Sequence, residues 1–289
     1  MTHGAEHLRT DVAGRLTTDA LLAMKELVAP LVRDAGHWAK GESDREQAGT
    51  HDLGVRTKTG PGDVVTLADA LVQRRLAEAL RDAYPGFAFV GEEGLDEGRP
   101  EAPTWVIDPI DGTHNFVRAY PGFCVSVGLV EGQESVFGAI YDSVTDTVTW
   151  AVRGGGAWCD GRRLQVRPAD ELANSLVATN VIPATAADPA QREVFWRLVG
   201  GAAGSRSSGA ACRDFCLVAS GKLDLFWQFG LRSWDVAAGV VIVREAGGRV
   251  TFAGDPVDWV RGGGLSCFAG AEALVVQAVD LARDLGAGS

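Results

Sequence analysis

The stretch Trp105-Val106-Ile107-Asp108-Pro109-Ile110-Asp111-Gly112-Thr113-His114-Asn115-Phe116 constrains the fold more than any other part of the chain. Trp105 to Ile107 is a short apolar run that reads as a buried strand stopping at Asp108. Pro109 has no N–H to give to a ladder, which predicts a turn at that point. Asp108 and Asp111 are spaced by three. Gly112 permits close backbone approach, and Thr113 suits the cap or first turn of a following helix. A lone Asp-Pro would read as a capped, solvated turn. Two carboxylates at a strand end, beside backbone N–H groups, suit a hard cation on one side and a phosphate on the other.

Three further stretches carry acids in patterned settings. In Lys58-Thr59-Gly60-Pro61-Gly62-Asp63-Val64-Val65-Thr66-Leu67-Ala68-Asp69, Thr66 and Asp69 form a Thr-x-x-acid helix start, and the helix continues from Leu67 to Tyr84. The plainest account of Asp69 is a first-turn residue favoured by the helix dipole. Phe87 to Val90 reads as a short strand ended by Gly91-Glu92-Glu93-Gly94, where adjacent acids before a glycine commonly form only a charged turn. Ser233-Trp234-Asp235-Val236-Ala237-Ala238-Gly239 opens another helix that closes at Gly247-Gly248, and Asp235 there could be no more than a cap.

Taken in order, these motifs resemble those of the inositol monophosphatase family. Asp108 to Thr113 followed by Asn115-Phe116 matches the family's metal-binding signature in full. Asp63 to Asp69, with Lys58 five residues upstream, is similar to its upstream motif. Gly91-Glu92-Glu93 and Trp234-Asp235-Val236-Ala237-Ala238 match two more. His114-Asn115-Phe116 sets the chain apart from adenosine 3',5'-bisphosphate phosphatases, which carry a basic residue straight after the Thr. The resemblance runs from Thr18 to the last helix. It implies an α+β fold, a layered α-β-α-β-α sandwich of the inositol monophosphatase and fructose-1,6-bisphosphatase type. It also implies Mg²⁺-dependent phosphomonoester hydrolysis, lithium sensitivity and a homodimer.

Carried over residue by residue, the resemblance places one Mg²⁺ on Glu92, Asp108 and the Ile110 carbonyl. A second lies on Asp108, Asp111 and Asp235, and a third, weaker ion shares Glu92, with Mn²⁺ as a substitute. Thr113 donates to Asp69, and this pair, with Glu92, orients the attacking water. The backbone of Gly112 and Thr113 receives the phosphate, while Asp111, Asp235, Gly209, Ala211 and Gln228 line the side of the alcohol. Inositol-processing relatives have Glu at the position of Gln228, seven residues before Asp235. Gln keeps the size and the hydrogen-bonding capacity and loses the charge. Inositol 1-phosphate is thus the first candidate substrate and histidinol phosphate the second, ahead of fructose 1,6-bisphosphate and 3'-phosphoadenosine nucleotides. A non-catalytic, RNA-associated regulatory member is the alternative of a different class.

The remaining chain frames these motifs. Thr18 to Arg33 has helical apolar spacing, with Pro30 expected to kink or interrupt it, and Gly41 to His51 is apolar-poor and reads as a mobile loop. Phe123 to Val166 alternates with period two and predicts an antiparallel meander. Within it, Gly156-Ala157-Trp158-Cys159-Asp160-Gly161 is assigned a structural role. Beyond about residue 170 strands and helices alternate, which predicts an N-terminal lobe over 1–170 and an α/β lobe over 171–289 that supplies Asp235. Asn180 to Ala187 lacks the small polar residues expected beside an inositol ring. The net charge of -11 makes nucleic acid an unfavourable partner. No apolar run is long enough to span a membrane, and Met1 to Gly14 does not read as a signal peptide. Five cysteines without a Cys-x-x-Cys pair fit reduced thiols in a cytoplasm, and Cys212 and Cys216 read as small buried hydrophobes.

Overall fold

The computed structural model describes residues 10–58, 64–254 and 258–287, and the backbone alone at 184. Asp63 and the four residues after Lys58 in the upstream motif therefore lie outside the described residues, as do residues 1–9 at the N-terminus.

Helix α1 (Thr18–Gln47) is capped by the Thr17 hydroxyl, which accepts from the Ala20 N–H. It runs unbroken through Pro30 and through most of the segment expected as a loop. Pro30 forfeits one backbone hydrogen bond, but Val28, Ala29 and Val32 on the same helix are buried and hold the turns on either side. The distal half stays helical because it packs through small side chains. Ala35 and Ala39 are buried, Gly36 lies directly against the Tyr141 ring, and Glu42, 5% exposed, is paired with Arg45 and His51. Apolar content understates burial when the packed residues are Ala and Gly.

A two-stranded hairpin, β1 (Arg56–Thr57) and β2 (Val64–Val65), leads into helix α2 (Leu67–Ala83). Thr66 and Asp69 close the capping box at its start. Strands β3 (Ala88–Gly91) and β4 (Leu95–Glu97) follow, then β5 (Thr104–Asp111), the short helix α3 (Thr113–Arg118), and the meander β6 (Cys124–Glu131), β7 (Glu134–Asp142), β8 (Thr147–Val152), β9 (Gly156–Cys159) and β10 (Arg162–Arg163). These strands form an eight-stranded sheet in the order β10-β9-β8-β7-β6-β5-β3-β4. The expected meander is present.

Strand β5 does not stop at Asp108. It pairs with β6 from Thr104↔Val130 to Asp108↔Ser126, shifts register, and pairs again at Asp111↔Cys124. Pro109 sits in that irregularity, where a ladder has no use for its missing N–H.

The second half begins with a 3₁₀ turn (Leu172–Asn174), β11 (Leu176–Ala178), α4 (Pro183–Ala187), α5 (Pro189–Gly201) and β12 (Gly204–Arg206). It continues with α6 (Ala211–Ala219), β13 (Leu225–Arg232), α7 (Ser233–Glu245), β14 (Arg249–Ala253), β15 (Gly263–Gly270) and α8 (Glu272–Asp284). Its sheet has five strands in the order β12-β11-β13-β15-β14.

Helices α1 and α2 cover one face of the larger sheet. Helix α7 lies on the other face, touching β5 to β8, and also meets β13 to β15, with α6 beside it. Helices α5 and α8 pack together on the far side, with α8 against β14 and β15. The layers are therefore α-β-α-β-α, as the resemblance implied. One apolar cluster runs through α6, α7, both sheets and α8 and holds the layers together. The close fit of α7 needs two glycines. A Cβ on Gly138 would come within 2.7 Å of the Ala238 Cα, and one on Gly128 within 2.8 Å of the Ala237 Cβ.

Candidate active site

The register of β3 against β5 builds the centre of the site. The two strands pair in parallel up to Gly91↔Ile107, and the Glu92 N–H donates to the Ile107 carbonyl at 3.3 Å. Glu92 thus leaves the sheet beside Asp108, while β5 continues past the end of β3. Asp108 is 1% exposed, and its Oδ1 is buried with no hydrogen-bond partner. Burial is the first cause that holds its carboxyl well above the usual range, followed by the fields of Glu92, Asp111 and Asp235.

Asp111 is anchored from the other half of the chain. The N–H groups of Ala211 and Cys212, at the start of α6, donate to its two oxygens at 3.1 and 2.7 Å. Burial nevertheless pushes Asp111 well above the ordinary carboxylate range, with Asp235 the next contributor. Asp235 stands in the first turn of α7 and accepts from the Arg232 N–H at 2.6 Å. Burial raises it to about 7 against that hydrogen bond. Strand β5, the end of β3 and the start of α7 therefore bring Glu92, Asp108, Asp111 and Asp235 into one field.

The cysteine reading missed one neighbour of this cluster. Ligand atoms of Asp108, Asp111 and Cys212 lie within 4.8 Å of one another, and the Cys212 thiol donates to the Asp235 carbonyl at 3.4 Å. Cys212 is fully buried, as expected, but among carboxylates rather than in an apolar layer. Its position directly after Ala211 was the available signal. Lys58 Nζ donates to Glu92 Oε1 at 2.9 Å and to Glu93 Oε1 at 2.6 Å, a cation at the rim of an otherwise acidic site.

The Thr113–Asp69 hydrogen bond implied by the resemblance is absent from this conformation. The Thr113 hydroxyl donates to the Ile110 carbonyl at 3.0 Å, because the tight turn at Gly112 (φ 86°) brings that carbonyl within reach. Asp69 is fully buried, and its Oδ2 accepts from the hydroxyl and the N–H of Thr66. Its Oδ1 is buried without a partner, and burial raises the group to about 7.

Asn115 and Phe116 have structural work. Asn115 Nδ2 donates to the Gly122 carbonyl at 2.7 Å and to the Ser208 carbonyl at 2.8 Å, and Phe116 packs edge-on against Phe123. This seats the 208–211 loop on the central motif, so tightly that a Cβ on Gly209 would lie 3.0 Å from Asn115 Oδ1. Of the residues expected on the alcohol side, Gly209 donates its N–H to Asn180 Oδ1, and Ala211 gives its N–H to Asp111. Gln228 Oε1 accepts from Asn180 Nδ2 at 3.1 Å. The segment that begins at Asn180 therefore does bring a polar group to this wall.

Comparison with known proteins agrees with this architecture. The model of the inositol monophosphatase family matches residues 24–279. The chain is 41% identical over 219 residues to human "Inositol monophosphatase 2", covering 72% of this chain and 75% of that protein. It is 35% identical over 226 residues to "Inositol monophosphatase 1" of Sus scrofa, covering 75% and 81% of the two chains. The crystal structure of the extragenic suppressor protein SuhB from Bartonella henselae superposes with a TM-score of 0.81 at 30% identity, covering 90% of this chain and 98% of that one. Sequence motifs, fold and relatives agree: the chain belongs to the inositol monophosphatase family, a family of phosphoric monoester hydrolases.

Proposed function

We propose that the chain is a Mg²⁺-dependent phosphomonoesterase acting on a small polyol monophosphate, with inositol 1-phosphate the leading candidate. The observation that carries this reading is the buried acidic cluster around Asp108, whose Oδ1 has no partner among the described residues. Burying like charges is costly unless a cation neutralises them. An all-oxygen donor set suits Mg²⁺, with Mn²⁺ a competent substitute. Glu92, Asp108 and the Ile110 carbonyl would hold one ion, Asp108, Asp111 and Asp235 a second, and Glu92 would share a third. When bound, the metal supplies charge neutralisation for the phosphate and an acidified water.

The chain's own residues have separable tasks. Asp69 has a buried acceptor oxygen available, so a Thr113 hydroxyl turned from the Ile110 carbonyl towards it would orient the attacking water. The turn at Gly112 and Thr113 offers backbone N–H groups to phosphate oxygens. Gly209, Ala211 and Gln228 face the alcohol. We assign the active form as a homodimer.

The test is phosphate release with Mg²⁺ from inositol 1-phosphate, histidinol phosphate, fructose 1,6-bisphosphate and 3'-phosphoadenosine 5'-phosphate. Turnover of inositol 1-phosphate well above the others, abolished by EDTA, supports the reading. No metal-dependent release from any of them would sink it.

A further inference from the structure

Behind the 208–211 loop lies a polar network centred on Asp214, which is fully buried on α6. Asp214 Oδ2 accepts from the Ser208 hydroxyl at 2.8 Å and from Asn180 Nδ2 at 3.0 Å. Burial raises Asp214 to about 6, so it is ionised at neutral pH and acts as an acceptor.

The orientation of both amides follows from one group whose role is unambiguous. The Gly209 backbone N–H can only donate, and it contacts Asn180 at 2.8 Å. That side-chain atom must be the oxygen, which also accepts from the Ser207 hydroxyl at 3.1 Å. The other end of Asn180 is then the NH₂ group. One of its protons goes to Asp214, and the other requires an acceptor on Gln228, 3.1 Å away. Gln228 therefore turns its carbonyl inward, and its NH₂ group points the other way. Among the described residues no acceptor meets that NH₂.

We propose that Asn180 and Asp214 are positioning residues that lock the Gln228 amide with its NH₂ towards the substrate, so that the site selects a group that accepts a hydrogen bond there and rejects an ammonium group. The inference rests on the phosphatase reading above and refines its substrate class. A hydroxyl both donates and accepts, so a neutral polyol satisfies the NH₂. An ammonium only donates, and would leave two donors facing each other in a part-buried wall. A carboxylate at this position would have the opposite preference.

The experiment uses inositol 1-phosphate and its analogues in which each hydroxyl in turn is replaced by an amine. kcat/KM is measured with Mg²⁺ for the wild type, for Gln228→Glu, and for the paired exchange Asn180→Asp with Asp214→Asn. The paired exchange keeps size and net charge but places a carboxylate beside Gln228, so the Gln228 amide must flip. The wild type is expected to disfavour one amino analogue by roughly 10- to 100-fold, the consequence of an unpaired donor. Both variants should erase or invert that ratio for the same analogue, through KM more than kcat. Ratios unchanged by Gln228→Glu and by the paired exchange would overturn the lock. If the paired exchange does not fold, judged by circular dichroism, the ratio in Asn180→Asp alone, which puts the same carboxylate beside Gln228, decides. Absence of Mg²⁺-dependent release from every compound would instead overturn the phosphatase reading, and this inference with it.

Discussion

Asp108 sits in the core with one carboxylate oxygen that meets no hydrogen-bond partner among the described residues, and so does Asp69 at the start of α2. Neither position helps a metal-free protein. Asp69 and Asp235 are raised to about 7 and Asp214 to about 6, against an ordinary 3.8. Between pH 4 and 7 the folded state thus holds protons that the unfolded chain has already lost, and stability falls as pH rises through that window. In EDTA the protein should be less stable at pH 8 than at pH 5.5 by several kcal/mol, roughly 2 for each group raised to about 7. Thermal unfolding at the two pH values checks this, and a Tm that rises with pH would refute it. Asp108→Asn removes a carboxylate that burial holds well above its ordinary range. It should raise the Tm of the metal-free protein at pH 8 while eliminating Mg²⁺-dependent turnover. Asp111→Asn, Asp235→Asn and Glu92→Gln should each lower kcat/KM by about 100-fold or more, since each would remove a proposed ligand from a charge-neutralising site. Near-normal turnover at saturating Mg²⁺ in any one of them would strike that residue from the ligand set.

Two glycines test how the elements are built. Gly41 lies inside α1, in the segment whose composition suggests a loop, and a Cβ there meets nothing within 4 Å. Gly41→Ala should therefore stabilise the protein by about 0.5–1 kcal/mol, the helix penalty of glycine. If 41–47 were a loop, equilibrium denaturation would show no gain. Gly138 is the opposite case. Its Cβ would strike the Ala238 backbone of α7, which cannot swing aside like a side chain. Gly138→Ala should cost about 1–3 kcal/mol. It should also weaken Mg²⁺ binding, measured by calorimetry, because α7 carries Asp235. A loss of stability with unchanged Mg²⁺ affinity would show that the N-terminus of α7 does not move with the helix.

At the scale of the molecule, the site joins parts of the chain that also meet through packing and through hydrogen bonds such as those from Ala211 and Cys212 to Asp111. Glu92 and Asp108 come from the eight-stranded sheet, and Asp235 from the helix between the sheets. A cation shared by them, as proposed, would tie the two halves in the folded state and have no equivalent site in the unfolded chain. Saturating Mg²⁺ should thus raise Tm, with the larger rise at pH 8, where the acids compete least with protons. Differential scanning calorimetry with Mg²⁺ and with EDTA checks this. A rise of the same size in Asp108→Asn would show that the ion binds elsewhere.

Local patterns in the sequence determined the capping box at Thr66 and Asp69, the meander from Cys124 onward, and the alternation of strands and helices after residue 170. Each depends on neighbours only a few positions apart, or on a period. The proposed metal ligands were nameable from the sequence because Asp108, Asp111, Glu92 and Asp235 stand in motifs, but nothing local placed them together. Their proximity comes from the Gly91↔Ile107 register and from α7 crossing between the sheets. Tertiary packing alone decided that α1 continues past Pro30, since Ala and Gly bury a helix without raising its apolar content. It also carried β5 through Pro109 by a shift in register and set Cys212 among the acids. The polarity of Gln228 is the clearest case. A glutamine in a sequence has no orientation, and this one takes its direction from Asn180, 48 residues earlier, and from the single N–H of Gly209.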